Sequence, residues 1–251
     1  MNPICPSLWY HERNPHQILT TIFSLLHMLY FIPTPVGNKE DITVRALRLI
    51  KESSYFLCED TGTTKKICNM YDISLEWKTF MPYTSFTNPG KMNHYINVIT
   101  ANDVCVLSEA GTPGLSDPWK SIVKLAWEHN IPFEVLPWPT ALVPSVVGAY
   151  TDTSTFVYYW FLPMKKWRQT ALKEIIDWCD QRPYFFYESV HRVEKLLEEL
   201  VSLQFSGTVY ITREMSKMFE QKIMGTPSEL LAKIKEWSLI IKGEFVIGMW
   251  K

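Results

Sequence analysis

The feature that most restricts this chain is an alternation. Short apolar runs at 29–32, 55–58, 79–81, 104–107 and 132–136 read as strands. Between them, segments ending near residues 52, 70, 100 and 129 have the character of helices, as Val44, Leu47 and Ile50 do in the first. Asp41 or Thr43 can cap that first helix. Alternation of this kind predicts an α/β unit with largely parallel pairing, because neighbouring parallel strands need a long crossover that a helix supplies. After "LPWPTA" the texture changes. Helices are expected at 141–149, 166–179, 190–203 and 227–237, and strands at 156–161, 184–187, 208–212, 219–224 and 243–249. Strands close together at the end of this half predict a mixed sheet. The expected division is an N-terminal domain over 28–137 and a C-terminal domain over 138–251, with the boundary near residues 137–139.

Residues 1–27 read as a poorly ordered extension. They carry Pro3, Pro6, Pro15, Glu12 and Arg13 early on, which does not suit the n-region of a signal peptide, and Met28 is a candidate start. The apolar stretch from Ile18 to Ile32 is interrupted by His27 and falls short of the roughly 20 residues of a membrane span. At 251 residues and 47% hydrophobic, the chain can bury a sizeable core. Its 25 basic and 26 acidic residues nearly cancel, which argues against a strongly basic, non-specific nucleic-acid binder but allows a local basic patch. Cys5, Cys58, Cys68, Cys105 and Cys179 form no CxxC pair. They are expected to be reduced core thiols of a cytoplasmic protein, and no metal site is expected.

Three loops leave strand ends with special chemistry: "IPTPVGN", "CEDTGT" and "SEAGTPGLSDP". In open α/β sheets, ligands bind at the carboxyl ends of strands. Each loop alone is also what ordinary turn chemistry produces. None is a Walker loop, a GxGxxG fingerprint or a Gly-x-Ser-x-Gly elbow. The segment "YESVHR" places Glu188 at a strand end and His191 and Arg192 in the first turn of a helix, either as a functional cluster or as a capped helix start.

Taken in order, "LYFIPTPVGNKEDITVRAL", "CEDTGTT", "SEAGTPGLSDP", "LPWPTAL", "FLPMKKWR", "FYESVHR", "TREMSKMFE" and "KGE" resemble the ribosomal small-subunit (16S) RNA 2′-O-methyltransferase I family, a branch of the tetrapyrrole-methylase superfamily. The resemblance runs from Leu29 to about Met249. It implies two α/β domains of the tetrapyrrole-methylase type with a cofactor cleft between them. It implies S-adenosyl-L-methionine as cofactor, a homodimer, and small-subunit rRNA or the assembled 30S subunit as partner, with a cytidine ribose 2′-hydroxyl as methyl acceptor. Carried over by position, Val36, Gly111, Thr112, Leu115, Thr140 and Ala141 should hold the cofactor. The carboxylates that could serve as base are Glu59, Asp60, Glu109 and Glu188, with Glu188 and Asp60 foremost; positioning or helix capping is their alternative role. Lys165, Lys166, Arg168, His191, Arg192, Arg213 and Lys217 are the expected RNA contacts, each of which alone could equally be a solvated charge.

The chain departs from the family pattern in several places. Gly62 stands for an Arg and Glu109 for an Asp. The sequence ends soon after "KGE", short of the C-terminal helical extension many members carry. Trp119, Trp138 and Trp160 occupy positions where members usually have Gly, and Trp167 is a possible fourth. Trp and Gly both number 10 in the chain, and Gly is about half its ordinary usage of roughly 7%. Tryptophan at such turns would meet a positive-φ penalty and crowd the cleft. Either the cleft is filled and methyl transfer is lost, or the host reads UGA as Gly where the written sequence has Trp; the second accounts for both composition anomalies. UGG codons at 119, 138 and 160 would exclude it. Three readings follow: the rRNA methyltransferase, a methyltransferase of the same fold acting on a tetrapyrrole or other small molecule, and a non-catalytic RNA- or ribosome-binding module with a blocked cleft.

Overall fold

The computed structural model describes residues 27–84, 87–113, 120–137 and 139–251. The expected extension, apart from residue 27, lies outside the described residues, as do Leu115, Trp119 and Trp138.

Strands β1 (Leu29–Ile32), β2 (Tyr55–Cys58), β3 (Thr79–Pro82), β4 (Val104–Leu107) and β5 (Phe133–Val135) form one sheet in the order β3-β2-β4-β1-β5. All its pairings are parallel. Helices α1 (Val44–Glu52) and α2 (Thr61–Met70) carry the chain outward to β3; α3 (Pro89–Ala101) and α4 (Lys120–Glu128) carry it back to β4 and across to β5. Right-handed crossovers running in opposite directions put the two helix pairs on opposite faces. The core bears this out by alternation along β4. Cys105 and Leu107 pack with Leu49 and Ile50 of α1 and Cys68 of α2, while Val104 and Val106 pack with Ile99 of α3 and Ile122 of α4. The adjacent strands β1 and β4 therefore send their connections to opposite sides, which is where such a sheet opens a crevice.

Local chemistry sets the helix starts. Thr43 caps α1 through the Ala46 N–H at 3.0 Å, and Asn88 caps α3 ahead of Pro89. Burial pushes the thiols of Cys58 and Cys105 up to about 12, so these groups stay protonated in the core.

The second sheet has the order β6-β7-β10-β8-β9, from β6 (Val157–Phe161), β7 (Tyr184–Glu188), β8 (Thr208–Arg213), β9 (Gln221–Gly225) and β10 (Phe245–Trp250). Only β6–β7 is parallel; β7–β10, β10–β8 and β8–β9 are antiparallel. One face is covered by α6 (Arg168–Trp178), α7 (Val193–Ser202) and α8 (Pro227–Lys235), through Leu172, Leu196 and Leu230. The other is covered by α5 (Leu142–Gly148), through Leu142 and Val146 against Phe185 and Tyr210. The helix expected over 190–203 is divided: Val190–Arg192 form a single 3-10 turn before α7. In that turn Arg192 reaches back to Glu188, and its backbone sits at φ −125°, outside helical values.

The sheets also touch through the loop after β8. Ser216 Oγ donates to the Asp41 carboxylate, and the Asn38 N–H donates to Ser216 Oγ at 3.3 Å. Glu214 and Ser216 hold positive φ, +53° and +65°.

Trp160 has no left-handed backbone; it lies within β6, beside a register irregularity between Tyr158 and Phe161. The positive-φ penalty expected there does not arise, because the residue is in a strand. Trp77 and Trp237 do adopt left-handed conformations, at φ +63° and +59°, and they are 85% and 84% exposed. Trp237 stands just past α8, and the N–H groups of Ser238 and Leu239 both return to the Lys233 carbonyl. That is the helix-ending position that glycine normally fills.

Candidate active site

The carboxyl ends of β1, β2 and β4 meet. Thr34 and Gly111 exchange both backbone hydrogen bonds at 3.0 Å, which joins the loop after β1 to the Gly-Thr-Pro loop after β4. Gly111 has φ +73°, a conformation that a side chain would strain. The Glu109 N–H lies 3.4 Å from Glu59 Oε2, which ties in the loop after β2.

Above these ends, between the two sheets, lies a cavity of about 450 Å³. Val36, Ala110 and Gly111 line it from the first sheet, and Thr140 and Ala141 from the connection. The second sheet contributes Trp160, Phe161, Tyr187, Glu188 and Thr212, together with the segment 243–246. The lining is mostly apolar with a few polar groups, which is the usual make-up of a small-molecule site, and the volume lies in the usual range of roughly 300–1,000 Å³. Ser145 links its parts: its hydroxyl donates to Ala141 O at 2.7 Å and lies 2.6 Å from Thr212 Oγ1. Burial raises the Tyr187 hydroxyl above its ordinary value, against the pull of hydrogen bonds from Thr140 and the Leu142 backbone. Beside the cavity, the Thr34 and Thr112 hydroxyls are buried without a hydrogen-bond partner. Orphaned donors next to an apolar hollow fit a nucleoside-type cofactor with polar substituents.

Of the residues expected to hold cofactor, Val36, Gly111, Thr140 and Ala141 are on the cavity wall. Thr112 is one residue beyond it and half-buried. Tyr187, Thr212, Gly243 and Phe245 also line the cavity and were not singled out in the sequence. The signals that could have found them are the "YES", "TREMSKMFE" and "KGE" motifs in which they or their neighbours sit. Trp160 forms one wall, edge-on to Tyr187 at 5.1 Å between centroids, and leaves the volume open. At this position the blocked-cleft expectation fails, because the indole stacks into the aromatic wall.

Both leading carboxylates are engaged elsewhere. Asp60 is the N-cap of α2, accepting from the Thr63 N–H at 2.5 Å, and that bond holds its carboxyl below the usual range. The Glu188 side chain has no exposed surface. Its Oε2 is 3.1 Å from Arg168 Nη1, and its Oε1 is 2.7 Å from both Arg192 Nε and the Ser189 N–H. The Arg192 N–H is not aligned for a hydrogen bond, so that contact is an ion pair. In this arrangement the carboxylate expected as a base is held by Arg168, Arg192 and the Ser189 N–H at the edge of the cavity.

The expected basic surface divides. Arg168 is buried between Glu188 and Glu199, with Nε 2.8 Å from Glu199 Oε2. Arg213 is buried and donates to the carbonyls of Lys242 and Phe219. Both guanidinium groups are thus buried and make their contacts inside the protein, although Arg168 Nη2 has no hydrogen-bond partner. Lys217 pairs with Glu214 and Glu244 at 3.1 and 2.9 Å. Burial would lower its ammonium, but these partners outweigh burial and raise it. Lys165, Lys166 and His191 are exposed, and Arg192 is half-buried with its guanidinium 5.9 Å from the centre of the Phe161 ring.

Among the described residues, no group of three or more His, Cys, Asp or Glu is arranged to hold a metal ion, and no helix is long and apolar enough to cross a membrane.

Residues 28–231 match the family model of the tetrapyrrole (corrin/porphyrin) methylases. The chain belongs to this family. Relatives within it include a ribosomal RNA small subunit methyltransferase I of Hydrogenobaculum sp., 35% identical over 89% of this chain and 95% of the relative. The protein of the same name from Helicobacter pylori (strain ATCC 700392 / 26695) is 31% identical over 88% of this chain and 82% of its own. Among solved structures, a cobalt precorrin-4 methyltransferase of cobalamin biosynthesis superposes with TM-score 0.61 at 15% identity, covering 88% of this chain and 94% of the other. A uroporphyrin-III-C-methyltransferase from Thermus thermophilus gives 0.57 at 15% identity, over 89% and 94%. At that identity these tetrapyrrole methylases share the fold alone.

Proposed function

We propose that this chain is an S-adenosylmethionine-dependent methyltransferase of small-subunit ribosomal RNA, acting in the cytoplasm on a cytidine ribose 2′-hydroxyl. The observation that carries the reading is the 35% identity to a ribosomal RNA small subunit methyltransferase I across 95% of that protein's length. An open, mostly apolar cavity at the strand ends supports it. Val36, Gly111, Thr112, Leu115, Thr140 and Ala141 would hold the cofactor, backbone groups of the first three loops serving its polar ends. When bound, it supplies a methyl group already activated by a sulfonium. The protein's own work is then alignment and exclusion of water, and orientation of this kind is worth up to roughly 7–11 kcal/mol in favourable cases. With Asp60 and Glu188 engaged, Glu59 and Glu109 are the carboxylates left to receive the hydroxyl proton. Lys165, Lys166, His191 and Arg192 form the basic lip for RNA phosphates, with the Phe161 ring beneath.

The second copy of a homodimer would cover an exposed apolar stripe, Val143, Val147 and Tyr150, at helical spacing along and just beyond α5. Light scattering checks this: a monomer at micromolar concentration overturns it.

The decisive experiment is a map of ribose methylation on small-subunit RNA from cells with and without the gene, repeated with purified protein, cofactor and 30S subunits. One cytidine should lose its 2′-O-methyl group without the gene and regain it in vitro. An unchanged map, with methyl transfer to a tetrapyrrole instead, overturns the reading.

A further inference from the structure

The buried charges beneath the basic lip have a use beyond holding the sheet together. Arg168 opens α6 directly after Lys165 and Lys166, while Arg192 ends the 3-10 turn that carries His191. These two segments come from different connections, and one carboxylate joins them: Glu188 lies 3.1 Å from Arg168 Nη1 and 2.7 Å from Arg192 Nε. Glu199 braces Arg168 from α7 at 2.8 Å. Arg192 Nη1 also reaches the Leu162 carbonyl at 3.5 Å, so it touches the first segment directly. The four charges cancel. Its partly exposed members are Arg192 and Glu199, with 19% and 12% of their side chains in solvent, against 0% for Glu188 and 4% for Arg168.

We infer that Glu188 is a positioning residue, which fixes the two lip segments relative to each other and aims the Arg192 guanidinium at the RNA backbone. This rests on the RNA reading above. Its chemistry differs from that of a general base: removing the negative charge should loosen substrate binding and leave the methyl-transfer step intact.

The test is steady-state kinetics on purified 30S subunits with Glu188→Gln, Arg192→Ala and the double variant, alongside calorimetry with S-adenosylmethionine. The expected result is a rise in KM for the RNA substrate of at least ~10-fold in each single variant, with the effect on KM and not kcat. The pH profile of kcat should not move. Because Glu188 acts through Arg192, the double variant should bind RNA no worse than Arg192→Ala alone. A ~10²-fold or larger fall in kcat of Glu188→Gln at unchanged KM, with loss of one limb of the pH profile, would make it the base and overturn the inference. Additive effects in the double variant overturn it as well. Should Glu188→Gln give no heat of cofactor binding, Arg192→Ala and Arg192→Lys decide: the inference stands if KM rises in the first and is partly restored in the second, and falls if KM is unchanged. Wild-type protein that leaves 30S subunits unmethylated overturns the RNA reading itself, whereas wild-type methylation with an unmoved KM in the variants overturns only the role of Glu188.

Discussion

The cavity wall from the first sheet is made of backbone and small residues, Val36, Ala110 and Gly111, whereas the wall from the second is made of Trp160, Phe161, Tyr187 and Glu188. The first sheet is wholly parallel and presents several strand ends at one edge, so its loops can offer fixed peptide groups without spending side chains. The second sheet is mixed: β6, β7 and β8 end at the cavity, while β10 runs the opposite way between β7 and β8 and starts there. It compensates with aromatic bulk and a buried charge cluster. Such a division means that backbone strain should damage the first wall and loss of charge the second.

The largest expected effect tests the charge side. Arg168→Ala leaves Glu188 and Glu199 facing a hole and should lower stability by about 3–5 kcal/mol, read by guanidinium unfolding. A loss below about 1 kcal/mol would mean that the cluster is not the brace of the second wall. Next comes the backbone side. Gly111→Val meets Val36 only at ordinary contact distance, 3.7 Å, so its cost is conformational, about 1–3 kcal/mol. It should lower the melting temperature by roughly 2–4 °C per kcal/mol of that strain and, by displacing the loop, weaken cofactor binding in calorimetry. Unaltered affinity would break the comparison.

Trp77→Gly and Trp237→Gly should each raise stability by about 1 kcal/mol, because glycine accepts left-handed backbone that tryptophan resists. A fall in melting temperature for either would show that the indole is held by contacts that outweigh its strain. The same positions widen the codon question raised by 119, 138 and 160: UGA at 77 and 237 would mean that the host builds these turns with glycine.

The smallest effect concerns pH. Burial opposes ionisation of Glu214, but the Glu244 N–H at 2.9 Å and Lys217 more than offset it, so its folded value lies below the unfolded one. It therefore contributes stability above the ordinary glutamate value of about 4.3, and that contribution fades as pH falls through the folded value. Glu214→Gln should make the acid limb of a stability–pH curve shallower and leave the limb above pH ~8 unmoved. An unchanged acid limb would remove Glu214 from the account.

Strand and helix positions were largely legible because the buried runs are short and bounded by strong cappers and turn residues. β2, β4 and α2 fall where the pattern puts them, and α1 begins at the Thr43 cap. The antiparallel return of β10 between β7 and β8 was visible only as strands close in sequence. The weakest readings were the arginines. A cation after a strand looks solvated until its partner is known, and the partner of Arg168 that reveals its burial, Glu199, lies 31 residues away. Arg213 is hidden by two carbonyls, which no residue-type pattern can show. The division of 190–203 into a 3-10 turn and α7 has the same origin, since the ion pair of Arg192 to Glu188 is a tertiary event for the helix that follows.

Ser216 has a mechanical consequence. The chain passes from one sheet to the other near residue 139, and a single passage of this kind leaves two bodies free to swing. The bonds from Ser216 to Asp41 and Asn38 add a second point of attachment, on an unrelated loop, and turn a pivot into a frame. The left-handed backbone at Glu214 and Ser216 is the strain that this attachment bears, and the pairs Lys217–Glu214 and Lys217–Glu244 keep it from relaxing. The two sheets are thereby held at a second place, where a serine hydroxyl and the close packing of Gly37 against residues 215–217 join two loops distant in sequence.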